Sequence, residues 1–177
     1  MRLEIKEKGS KAFYQEAVNA ASQYRFLLKK PQRKLADNFK LYQRYMILCA
    51  VLAALLLVMN IAWGWDALGI AAIVLLLFAV FFSGTMWKNL NKMLQNMMQD
   101  DRMSILTMDE NGVELDKSGS QTVRMAWDSL AFVRVFDESI CFFSKDGLGF
   151  VISVDRRYEN EVLGYLKNEQ PGVTVLR

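Results

Sequence analysis

The chain contains no histidine among its 177 residues. That absence removes the side chain that most often moves protons near neutral pH. With it go Ser-His and Cys-His nucleophile pairs and most transition-metal sites. Cysteine is almost as scarce. Cys49 falls inside a long apolar run and Cys141 in a segment that alternates like a strand, so no disulfide is expected between them. Only Pro31 and Pro171 break the chain as prolines. Charge is missing over one long stretch, for between Met46 and Met86 the only charged residue is Asp66.

That stretch consists of two apolar runs, Met46 to about Ile61 and Ala67 to about Met86, separated by Trp63-Gly64-Trp65-Asp66. A bilayer core of ~30 Å takes about 20 apolar residues in a helix, and each run with its flanks reaches that length. The linker is too short to traverse anything, so the pair predicts a transmembrane helical hairpin with both ends on one side. The first run starts too far along the chain, and is too long, for the apolar part of a signal peptide. Its approach carries Arg25, Lys29, Lys30, Arg33, Lys34, Lys40 and Arg44 against Asp37 alone, and the exit of the second carries Lys88 and Lys92. The turn carries no Lys or Arg. Under the positive-inside rule both termini are expected in the cytoplasm, with the protein multi-pass in a bacterial inner membrane. Trp63 and Trp65 fit the outer interface, and Trp87 with Tyr42 or Tyr45 the inner one.

The flanks read as soluble structure. Leu3 and Ile5 alternate with Glu4 and Lys6, predicting a strand over Met1–Lys8. Ser10 is an expected N-cap for a helix whose Phe13, Ala17, Ala20, Ala21, Tyr24 and Leu28 share one face. A stripe so rich in Ala suits packing better than lipid. Beyond the second run, Trp87, Leu90, Met93, Leu94, Met97 and Met98 continue the helical period. The expected organisation is therefore 1–44 strand, amphipathic helix and basic segment; 45–87 hairpin; 88–102 helix extension; 103–177 a β-rich domain.

In that last region the period changes to two. Strands are expected at Met103–Met108, Gly112–Asp116, Gln121–Ala126, Ala131–Phe136, Ser139–Ser144 and Leu148–Val154, with turns at Asp109–Gly112, Lys117–Ser120, Asp137-Glu138 and Lys145–Gly147. Asp155 is expected to cap a closing helix with Tyr158, Val162, Tyr165 and Leu166 on one face, ended near Pro171-Gly172. The fold class is α+β: a membrane hairpin with a pleckstrin-homology-like antiparallel barrel or sandwich, capped by a C-terminal helix that covers an aggregation-prone edge.

Met108-Asp-Glu-Asn-Gly-Val-Glu-Leu, Met125-Ala-Trp-Asp-Ser-Leu-Ala-Phe-Val and Phe142-Phe-Ser together resemble the YcxB-like family of small bacterial membrane proteins. The likeness covers nearly the whole chain, although Ile152-Ser-Val-Asp-Arg-Arg157 lacks the proline common before the last helix. It implies the architecture rather than an activity.

Little in the sequence points to chemistry. The acidic pairs Asp100-Asp101, Asp109-Glu110 and Asp137-Glu138 suit solvated turns, and neighbouring residues on a strand face opposite ways. No catalytic, cofactor-binding or metal residue is expected. Arg33 and Lys34 at the membrane edge, and Arg156 and Arg157 at a helix start beside Arg134, are the candidates for lipid headgroup contact. Ala50, Ala54 and Asn60 are the candidates for helix–helix contact, within the hairpin or in a homo-oligomer. Basic residues confined to a membrane edge do not predict nucleic-acid binding. The expected partners are the bilayer and an unidentified protein, with the chain a non-enzymatic membrane adaptor. A membrane immunity or envelope-stress protein, or a small transport or pore subunit, are the alternatives.

Overall fold

The structure, a computed structural model, describes residues 1–5, 9–99, 104–117, 121–145 and 151–177. The expected strand residues Lys6–Lys8, Met103 and Leu148–Phe150, the acids Asp100-Asp101, and the turn residues Ser118–Ser120 and Asp146-Gly147 lie outside them. The chain divides into two units, one made of residues 1–35 with 94–177 and the other of residues 36–93.

The first unit draws on both flanks of the apolar region. Strand β1 (Arg2–Ile5) pairs antiparallel with β2 (Ser104–Met108), Leu3 opposite Leu106. Strands β3 (Gly112–Lys117) and β4 (Gln121–Ala126) complete a four-stranded sheet in the order β1-β2-β3-β4. A second four-stranded sheet has the order β7-β6-β5-β8, with β5 Leu130–Val135, β6 Ser139–Ser144, β7 Val151–Asp155 and β8 Val175–Leu176. The strands therefore form an open sandwich and no closed barrel. The expected antiparallel arrangement is corrected in one respect: the short strand β8 joins β5 in parallel, Val133 opposite Val175.

Alternation explains the layers. Leu106, Met108, Val113 and Met125 of the first sheet meet Val133, Val135, Ile140, Phe142, Ile152 and Val154 of the second in one core. Helix α5 (Glu159–Glu169) adds Val162 and Leu166 to it. The opposite face of the second sheet, with Phe132, Phe136, Cys141 and Phe143, packs on Ala20, Tyr24 and Leu27. These come from α1 (Lys11–Ser22) and α2 (Tyr24–Lys29), the expected single helix broken at Gln23. Ser10 caps α1 by accepting from the Phe13 amide at 3.0 Å. The N-terminal helices are thus a third layer.

In the second unit, α3 (Asn38–Trp63) and the portion of α4 (Ala67–Gln99) up to Met93 form the hairpin. Both helices are long and apolar enough to cross a bilayer, and only 11% of the most apolar window of each is buried. A core helix of a soluble domain would be mostly buried, and these two are not. Gly64 ends α3 at φ +97, a conformation side chains rarely allow, and the Asp66 carboxylate accepts from the Gly69 amide to start α4.

The β2–β3 turn is set by Asp109, whose carboxylate accepts from the Asn111 and Gly112 amides at 2.8 and 3.0 Å; those bonds hold its pKa below the ordinary carboxylate value. The Trp127 indole donates to the Asp109 carbonyl at 2.8 Å, so the segments beginning at Met108 and Met125 are joined as one corner. A Cβ on Gly112 would stand 2.2 Å from the Met125 carbonyl oxygen and 2.9 Å from the Ala126 Cα, backbone atoms that cannot rotate away. Gly112→Ala is therefore expected to cost about 1–3 kcal/mol, read as a lower thermal midpoint of the detergent-solubilised chain. An unchanged midpoint would show that the corner yields freely.

Candidate functional site

The headgroup candidates separate into two groups. The Arg156 guanidinium is 2.9 Å from Glu159 and donates to the Phe136 and Asp137 carbonyls at 3.2 and 3.3 Å. Arg157 is 3.2 Å from Asp155, whose carboxylate also caps the turn entering α5. An anion there would compete with carboxylates already in place, so the helix start is an ion-paired structural end. Glu159 holds the pKa of Arg156 above the ordinary guanidinium value, as an adjacent carboxylate must. Arg33 and Lys34 differ: both are exposed, and no carboxylate of the described residues pairs with them.

Arg134 does not stand with Arg156 and Arg157 as a surface cation. It is 8% exposed, with its guanidinium 4.7 Å from the centre of the Phe136 ring. One terminal nitrogen donates to the carbonyls of Pro31 at 2.5 Å and Arg33 at 2.6 Å, while Nε has no partner. Burial pulls its pKa below the usual value, yet a guanidinium remains a cation at neutral pH. Its work is to tie the segment after α2 to the second sheet.

That tie builds a groove. An open cavity of about 810 Å³ is lined by Lys30, Pro31, Gln32 and Arg33 on one side and by Ala131, Phe132, Thr174 and Leu176 on the other. Its volume lies within the ~300–1,000 Å³ typical of ligand sites. The floor is apolar, with Phe132 stacked on Phe143 at 4.7 Å. The rim carries Lys30 and Arg33, and no acid among the described residues lines the groove. Such a surface suits an amphiphilic anion. The sequence reading found Arg33 but missed the floor, because no local signal announces the parallel β5–β8 pairing that brings Thr174 and Leu176 beside Ala131.

Glu16 and Cys141, at the second sheet, are engaged structurally. Glu16 accepts from the Glu138 amide at 2.9 Å and the Ser139 hydroxyl at 2.7 Å. The Cys141 thiol is fully buried between the hydroxyls of Ser139 and Ser153, and burial pushes its pKa up to about 11. A neutral buried thiol is a poor nucleophile. Among the described residues no group of Cys, Asp and Glu is placed to hold a metal ion.

Within the hairpin, the buried seam runs through Ala53 and Asn60 on α3 and Ile73 and Ser83 on α4. Asn60 donates to the Leu56 carbonyl of its own helix at 2.9 Å. Its side chain lies so close to Gly69 that a Cβ there would meet the Asn60 Oδ1 at 2.4 Å. Asn60 is therefore an interhelical contact. Ala50 and Ala54, three positions and one position from the buried Ala53, are both exposed, so they are not the seam of this hairpin.

Arg134→Ala should cost about 2–4 kcal/mol through lost charged hydrogen bonds, and should raise hydrogen exchange selectively in 30–35. Arg134→Lys should restore little, since an ammonium lacks the planar face that lies against the Phe136 ring while the same group reaches the two carbonyls. Unchanged exchange in that segment would sink the tying role. Cys141 makes a separate prediction. The folded state holds its proton more tightly than the unfolded chain, so unfolding releases it between pH 9.0 and about 11. Stability falls as pH rises through that window, by up to about 1.4 kcal/mol per pH unit. Cys141→Val should flatten that alkaline slope in thermal melts; an identical slope would refute the assignment.

In comparisons with protein-family models, curated proteins and solved structures, nothing matched this chain.

Proposed function

We propose that the protein is a non-enzymatic, membrane-anchored adaptor presenting a pleckstrin-homology-like sandwich to the bacterial cytoplasm. The observation that carries this reading is the composition of the first unit. Strand β1 pairs with β2, and α1 and α2 cover the second sheet, although the whole hairpin lies between them in sequence. Flanks that fold into one unit must share one side of a membrane, which requires an even number of crossings. The two apolar helices supply that number. The basic approach to α3, against a turn whose only charge is Asp66, argues for the cytoplasmic side.

The pleckstrin-homology-like part of the reading is supported by consecutive antiparallel strands followed by a helix that enters the sandwich core. The YcxB-like likeness is supported by the corner in which Asp109 and Trp127 are bonded. Both bear on architecture, and the adaptor role is inferred from a sandwich displayed at a membrane.

Fluorescent-protein fusions at either terminus should fluoresce, and Trp65→Cys should react with an impermeant maleimide in intact cells. Labelling of Arg177→Cys in intact cells would overturn the orientation. A photo-crosslinker at Thr122, exposed on β4, should then give one dominant protein adduct in native membranes. Self-adducts alone would overturn the adaptor role and turn attention to toxin-challenge and flux assays.

A further inference from the structure

We infer that the groove between the segment after α2 and the β5–β8 edge holds one anionic phospholipid, its phosphate on Lys30 and Arg33 and its apolar portion on Ala131, Phe132 and Leu176. This rests on the membrane-spanning reading of α3. Three observations carry it. The rim is basic and no acid among the described residues lines the site, so an anion is attracted there. The floor is apolar, which a soluble phosphate would leave unused. Finally, Arg33 stands five positions before Asn38, where α3 begins. The basic rim therefore belongs to the short stretch of chain that leads into α3. At an anionic membrane surface each Lys or Arg strengthens attachment to lipid several-fold.

The rival occupant is an acidic peptide adding as a strand to β5. It is less favoured because β8 already occupies that edge at Val133 and Arg134. Arg134 contributes indirectly: by holding the Pro31 and Arg33 carbonyls it fixes the rim, and its buried charge adds to the positive field there. It is a positioning residue.

The test is native mass spectrometry of the full chain in a neutral detergent, titrated with phosphatidylglycerol or phosphatidylcholine. One phosphatidylglycerol per chain should be retained, and phosphatidylcholine should not. Lys30→Gln with Arg33→Gln should weaken retention by roughly tenfold to thirtyfold. Ala131→Trp, which fills the floor and leaves the charges, should weaken it comparably. Lys40→Gln with Arg44→Gln, on α3 and not among the residues lining the groove, should leave it unchanged. Equal retention by wild type and both groove variants would overturn the site, and so would an equal loss in the α3 variant. A photo-crosslinker at Gln32 that yielded a protein adduct in place of lipid would overturn it in favour of a peptide. The detergent assay reads the groove whichever way the hairpin faces, so its failure and a failed topology experiment are distinguishable.

Discussion

Burial of β6 on both faces is the constraint from which the first unit follows. Every residue of Ser139–Ser144 is buried, Ile140 and Phe142 toward the first sheet and Cys141 and Phe143 away from it. A sandwich alone would leave the second set wet, at a cost of about 25 cal/mol for each Å² of apolar surface. The cover is made by a short helix pair whose Ala17 and Ala20 permit close approach, and whose Tyr24 hydroxyl donates to the Ser144 carbonyl at 2.5 Å. The N-terminal flank is thereby part of the β-domain and no separate appendage. The groove follows from the same layer, since the chain leaving α2 must pass the β5 edge.

Much of this could be read from local pattern. Long uncharged runs announce helices of bilayer length, and the Asp109–Gly112 segment announces its turn, because backbone demands there are met by neighbouring residues. The start of α3 was less legible: the helix begins about two turns before the apolar run, where the Asp37 side chain accepts from the Lys40 amide at 3.2 Å. Long-range features were not legible at all. The parallel β5–β8 pairing has no turn to mark it, and the choice between open sandwich and barrel depends on edges far apart in sequence. One clue was present in the run Ser139-Ile-Cys-Phe-Phe-Ser144, which is apolar on both faces as strands covered on both sides are.

Charge was the least reliable guide to the site. Arg134, Arg156 and Arg157 read as one basic group in sequence, Arg134 in an expected strand and the other two at a helix start. The fold gives one to backbone carbonyls in the interior and two to carboxylates at a helix start. Arg33, which has no acidic partner among the described residues, is the one whose surroundings suit an anion. Pairing, rather than sign, separates a recognition cation from a structural one.

The pairing of Leu3 with Leu106 also has a consequence in time. At ribosomal rates of roughly 5–20 residues per second, β2 follows β1 by about 5–20 s. Throughout that interval β1 has no partner strand, and Phe13, Ala17, Tyr24 and Leu27 have no sheet to cover. Closing so long a loop of free chain costs on the order of 4 kcal/mol. A hairpin of two packed helices returns the chain near its starting point before β2 is made. The apolar insertion then acts as a clasp during synthesis, converting a distant encounter into a local one.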